Sequence, residues 1–104
     1  MEKLTQHLIG KRVLIRSDAS GVHHGTLIDV EGTSIRLKDS RRLWVWDTGG
    51  AGISLSEVAT SGINHEGSKI TAVLPDLVVT GVCEVIETYG LCDATIDGAA
   101  VAKP

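Results

Sequence analysis

The sequence predicts an α+β chain, mainly β: a small antiparallel meander or barrel-like sheet with one or two short helices. Between residues 11 and 46, apolar and polar residues alternate with the period of two expected of half-buried strands, and short turn signals break the pattern. Ser54 and Glu57 form a Ser-x-x-Glu capping box that opens a helical stretch. Residues 77–89 form a long valine-rich run whose two faces both carry apolar side chains. With 104 residues, 42% of them apolar, one domain over 1–104 is expected. A domain this small has little surface buried per residue, so self-association into a homo-oligomer is expected as well.

Residues 2–9 place Leu4, Leu8 and Ile9 at helical spacing before Gly10, which predicts a short amphipathic helix or docked arm. Residues 11–16 read as a strand, 17–21 as a turn, and 22–31 as a second strand. Glu31-Gly32 turns the chain into a third strand over 33–38, where Ile35 and Leu37 alternate with Arg36 and Lys38. Asp39-Ser40 is expected to be a second short turn and 41–46 a fourth strand. Four strands in so short a stretch tend to curl, because right-handed twist accumulates from strand to strand. Residues 48–52 form a glycine-rich loop before the capped helix, which ends at Gly62. A polar loop over 63–68 leads to a strand over 69–74, stopped by Pro75-Asp76. Residues 77–89 are expected to form one long strand; 91–102 read equally as a terminal helix or an extended tail.

Composition narrows the function. Residues 1–10 lack the continuous apolar stretch of a secretory signal, and no run approaches a membrane span, so a soluble protein of the host cell cytoplasm without a membrane partner is expected. Cys83 and Cys92 lack metal-ligand spacing and are expected to be unpaired, buried thiols. Residues 1–47 hold eight Lys/Arg against six Asp/Glu, and residues 48–104 two against seven. That asymmetry suits a small anionic ligand or complementary subunits and disfavours a duplex nucleic acid partner. His23 and His24 are adjacent in a strand and face opposite ways, which disfavours a shared metal. No nucleophile elbow, P-loop or carboxylate dyad is present, so neither an enzyme nor a cofactor is expected.

Residues 41–47 stand out because they hold both tryptophans of a chain with only three aromatic residues. Alternation would set Arg42, Trp44 and Trp46 on one face and Arg41, Leu43 and Val45 on the other. Two indoles beside a guanidinium can stack a base and pair a phosphate. Arg16 and Arg36, on neighbouring strands, would extend the basic surface.

The pattern resembles a family of small bacteriophage proteins in which a glycine turn leads through a short strand into an Arg-Arg-Leu-Trp-x-Trp strand. A Gly/Ala loop, a Ser-Leu helix ending in glycine and a late valine-rich strand follow. The matching positions here are 25–27, Gly32, 35–37, 41–46, Gly50-Ala51, Ser54-Leu55, Ala59, Gly62, Pro75, 78–80 and 82–86. The likeness implies a phage source and brings no settled activity with it. By analogy with small phage proteins that sequester nucleotide immune signals, it implies a counter-defence sponge.

The resulting expectation is a non-catalytic protein that binds and sequesters a small nucleotide-derived, cyclic or linear, messenger. Arg41 or Arg42 would hold phosphate and Trp44 and Trp46 would stack bases. Ser54 and Ser56, with the loop before them, would supply donors, and Arg16 and Arg36 would add charge. Two alternatives are a virion or protein-interaction module whose tryptophan patch is a subunit interface, and a weak binder of single-stranded nucleic acid.

Overall fold

A computed structural model describes residues 2–50 and 52–103, so Ala51 of the glycine loop lies outside the described residues. Helix α1 (Glu2–Thr5) runs into a 3-10 turn (Gln6–Leu8), and strands β1 (Arg12–Ser17), β2 (Gly21–Glu31) and β3 (Ser34–Val45) follow. Helix α2 (Leu55–Ser61) precedes β4 (Lys69–Ile70), β5 (Leu74–Val79), β6 (Val82–Glu87) and α3 (Gly90–Asp97). The expected α+β, mainly β class holds. The strands form one antiparallel sheet in the order β4-β3-β2-β1-β6, with β5 also on β3.

That order fixes the shape. β5 pairs with β3 and β6 with β1, yet only Thr80 and Gly81 separate β5 from β6. The sheet therefore has to curl until its two ends meet at this corner, where Gly81 takes a φ of 65° that only glycine adopts freely. The expected single strand over 77–89 is thus two strands bent at Gly81. Pro75 does not stop a strand either: it sits inside β5, which pairs with β3 on one side, and an edge strand tolerates a residue without an N–H.

The expected turn at Asp39-Ser40 is also absent. β3 runs through it, and three steps along β3, from Lys38 to Arg41, match two along β2, from Thr26 to His24. Asp39 is the extra residue of a β-bulge, with a φ of 52°. The strands close up opposite it: a Cβ at Gly25 would lie 3.0 Å from Ser40 Cβ and 3.2 Å from the Lys38 carbonyl.

Both faces of the curled sheet are buried. Inside the curl lie Val13, Ile15, Leu27, Ile35, Leu37, Val79 and Val82, with Leu8 plugging from the N-terminal turn. On the outer face, α2 and α3 cover Leu14, Val22, Leu43 and Ile70 with Leu55, Val58, Cys92 and Ile96. Burying one such aliphatic side chain is worth about 1.5–3 kcal/mol, so the helices are integral to the fold. Ser54 caps α2 through its hydroxyl, as expected, but the carboxylate of Glu57 turns to the Gly52 N–H and the Ser61 hydroxyl instead of reaching back. Residues 91–102 resolve into α3 and a tail whose Val101 bridges to Ile70. Cys92 is buried as expected, whereas Cys83 is exposed, and both are free thiols. Among the described residues, no helix is long and apolar enough to cross a membrane.

Candidate functional site

The sequence sets two histidines side by side on β2 and two arginines side by side on β3, and alternation sends the members of each pair to opposite faces. The register matches His23 with Arg42 and His24 with Arg41. Ile15 stands opposite His23 and Leu14 opposite His24, and these belong to the inner and outer cores respectively. The sheet thus carries two His–Arg pairs back to back.

The outer pair is fully engaged. Arg41 is only 3% exposed, and its Nε donates to the Thr71 carbonyl at 2.7 Å while Nη1 donates to those of Ile96 at 2.7 Å and Ala99 at 2.8 Å. It ties β3 to the C-terminal end of α3, where the last carbonyls carry partial negative charge. The phosphate role expected for Arg41 is therefore corrected: its Nε and Nη1 are given to carbonyls and the residue is all but sealed from solvent. His24 Nε2 donates to Asp93 Oδ1 at 2.7 Å, while Nδ1 accepts from Arg12 Nη2 at 3.2 Å. Asp93 also accepts from Thr88 Oγ1, and Arg12 pairs with Asp97 at 2.6 Å. Ligand atoms of His24, Cys92 and Asp93 lie within 4.8 Å of one another, the spacing of a metal set. A cation there would face the Arg12 guanidinium and would need a proton from the Cys92 thiol, which burial and the nearby Asp93 and Asp97 carboxylates push up to about 12. The cluster reads as a structural network that docks α3.

The inner pair is different. His23 is 2% exposed, and its Nε2 donates to the Ser20 carbonyl at 3.0 Å. This bond fixes the neutral tautomer and leaves Nδ1 as an acceptor with no partner in the protein. Arg42 Nε, Ser40 Oγ and Ser20 Oγ are likewise buried without partners. Among the described residues, four of the five buried side-chain polar atoms in this condition belong to this one neighbourhood. An orphaned buried polar group costs about 1–3 kcal/mol, so such a concentration calls for a partner from outside the fold. Among the described residues, Arg42 is also the one arginine whose guanidinium neither pairs with a carboxylate nor donates to a carbonyl; Arg12, Arg16 and Arg36 pair with Asp97, Glu84 and Asp76.

Arg42 borders two recesses. One, of about 310 Å³, is lined by His23, Ser40 and Thr71 and walled by Leu74 and Leu77. The other, of about 400 Å³, lies between the turn at Ala19, Ser20 and Gly21 and the indole of Trp44, which is 69% exposed. A larger recess of about 730 Å³ lies beside the glycine loop, where the Thr48 hydroxyl gives its one proton to the Gly52 carbonyl at 2.7 Å, with that of Gly50 at 3.1 Å, and His65 Nε2 donates to the Thr95 carbonyl; among the described residues, none that lines it has a buried side-chain polar atom without a partner. Chemistry, not size, singles out the Arg42 neighbourhood.

The other expected site residues fall elsewhere. A register shift between Leu43 and Val45, where β4 pairs with β3, breaks the alternation. Trp46 consequently packs against the outer core and Val45 is exposed, so the expected ladder of two indoles is reduced to Trp44 alone. Arg36 is held by Asp76 through two bonds of 2.9 Å, which pull the Asp76 carboxyl below its usual range, and Arg16 pairs with Glu84 at 3.7 Å. Neither borders the Arg42 recesses. Ser54 serves as the α2 cap, and Ser56 is exposed on that helix. Ser20, His23, Ser40 and Thr71 were not foreseen; alternation across His23 was the one signal pointing to any of them.

Burial lowers the pKa of both histidines from 6.5; the Arg42 charge reinforces this at His23, and the bond to Asp93 opposes it at His24. Below about pH 6.5 the unfolded chain therefore binds protons that the folded chain resists, and stability falls with pH. We expect the urea midpoint to drop between about pH 7 and pH 5, and His23→Gln to lessen that drop. A drop of equal size in the variant would assign it to other groups.

Comparison with known proteins gives a family match over residues 10–96, to a domain of unknown function (DUF6948). No curated protein and no solved structure matches.

Proposed function

The chain belongs to this family of domains of unknown function, and from the site itself we propose that it binds and sequesters a small nucleotide-derived anion without transforming it. The observation that carries this reading is the set of unpartnered buried polar atoms gathered around Arg42 beside an exposed indole. The Arg42 guanidinium supplies the charge for a phosphate, and Trp44 supplies a face on which a base stacks. Ser20, at the opposite wall of the same recess, adds a hydroxyl. In a phage setting, capture of such a molecule would blunt host nucleotide signalling; that context rests on the resemblance of the sequence alone.

Calorimetric titration with 5′-mononucleotides and cyclic nucleotides tests the reading. Binding is expected, with the nucleotide recovered intact by mass spectrometry. Trp44→Ala should weaken it about 5- to 150-fold, the equivalent of about 1–3 kcal/mol for one stacked base. Arg42→Gln should weaken phosphorylated ligands far more than the corresponding nucleosides. Absence of heat with every nucleotide, or recovery of a cleaved product, would overturn the proposal.

The exposure of Trp44 together with its neighbour Val45 also favours a second reading, in which this end of β3 packs against another subunit. Under that reading Trp44→Ala lowers the mass measured by sedimentation and leaves nucleotide titrations blank.

A further inference from the structure

The recesses on either side of Arg42 differ in what they can accept. The Trp44 side offers a stacking face and a hydroxyl. The His23 side is framed by Ala72, Leu74 and Leu77 and is lined by three residues that each hold a buried, unpartnered polar atom: Nδ1 of His23, Nε of Arg42 and the Ser40 hydroxyl. Because Nε2–H is already given to the Ser20 carbonyl, Nδ1 of the neutral ring can only accept. An ionised phosphate brings acceptors alone and would set lone pair against lone pair there. A ring bearing an N–H next to a carbonyl or ring nitrogen fits instead, the N–H meeting Nδ1 and the acceptor meeting Arg42 or Ser40. That donor-next-to-acceptor edge is what a nucleobase presents, and its apolar faces suit the leucine walls.

Volume makes the same point. Pockets for small ligands span about 300–1,000 Å³. At about 310 and 400 Å³, each recess alone sits at the bottom of that range, whereas the two together fall well inside it. Arg42 is the residue that lines both, so a phosphate held there would stand between the two.

We infer that Arg42 is the centre of a two-chambered site for a dinucleotide, one base stacking on Trp44 and the other entering the His23 recess with an N–H directed at Nδ1. The inference rests on the nucleotide reading above and deepens it.

Calorimetry on the full chain with 5′-GMP and 5′-AMP, set against linear and cyclic 3′,5′-dinucleotides of the same bases, tests it. On the unaltered protein at least one dinucleotide is expected to bind about tenfold or more tighter than its mononucleotide, since the second base binds as part of a tethered pair. Leu74→Trp fills the second recess from a half-exposed position and should bring the dinucleotide-to-mononucleotide affinity ratio close to one. Ser40→Ala, a smaller change, should lower the same ratio, and thermal melting of both variants verifies that they fold. Equal affinity for mono- and dinucleotides on the unaltered protein, or a ratio that survives Leu74→Trp, would overturn the two-chambered site while leaving nucleotide binding at Trp44 standing. Failure of both ligand classes to bind would overturn the nucleotide reading and this inference with it.

Discussion

Arg41→Ala is expected to cost about 3–5 kcal/mol of stability, whereas Arg42→Ala, one residue along the same strand, is expected to cost less than about 1 kcal/mol. Removing Arg41 takes the donor from the carbonyls of Thr71, Ile96 and Ala99 together and leaves a void where its side chain was buried. A charged hydrogen bond is worth about 1.5–3 kcal/mol, so the loss of three outweighs any relief from returning one guanidinium to water. Arg41→Lys should recover only part of the loss, because one ammonium cannot reproduce the planar fork that reaches Thr71 just past β4, α3 and the tail at once. Arg42 offers the opposite balance: its Nε has no partner to lose, and its truncation exposes a recess rather than opening a cavity. Urea denaturation at pH 7, with slopes compared to confirm that the unfolded states match, measures both. If the two variants lose equal stability, the division of the pair into a structural and a ligand-facing arginine is wrong.

That division was half legible in the sequence. Alternation alone places Arg41 with Leu43 and Arg42 opposite, and it separates His23 from His24; both inferences hold because residues 41–43 lie between two irregularities. The irregularities themselves were not legible. Asp39-Ser40 has the composition of a turn, and only its position opposite Gly25, a contact between strands, makes it a bulge. The slip beyond Leu43 depends on β4, a strand of two residues whose pairing no local pattern specifies. It is the reason Trp46 entered the core while Trp44 stayed outside. Arg41 looked available for phosphate because its partners come from residues 71, 96 and 99, and the last two lie where helix and tail could not be told apart from composition. Ser40 was missed for a related reason: serine in a turn signal is unremarkable until a distant strand, here β5 with Leu74 and Leu77, walls it in.

Gly62→Ala carries the other large expected effect, a loss of about 2–4 kcal/mol. Gly62 ends α2 at a φ of 77° and a ψ of −162°, an extended positive-φ conformation open essentially to glycine alone that costs an L-residue about 1–3 kcal/mol. Space is also missing. A Cβ there would lie 2.8 Å from the Leu91 carbonyl and would run into Thr95 Oγ1. Thr95 has little freedom to withdraw, since its hydroxyl accepts from the Ile63 N–H at 3.1 Å and donates to the Leu91 carbonyl at 2.9 Å. Relief would therefore require α2 and α3 to move apart, and these helices cover the outer core, with α3 also holding the Ile96 carbonyl that engages Arg41. Gly90→Ala provides the contrast within α3. Its φ lies outside the left-handed region and nothing lies within 4 Å of an added Cβ, so the substitution should stabilise by about 0.4–1 kcal/mol through the unfolded chain. Thermal melting resolves effects of opposite sign, and a Gly62→Ala protein as stable as the parent would show that the α2–α3 contact is looser than its geometry requires.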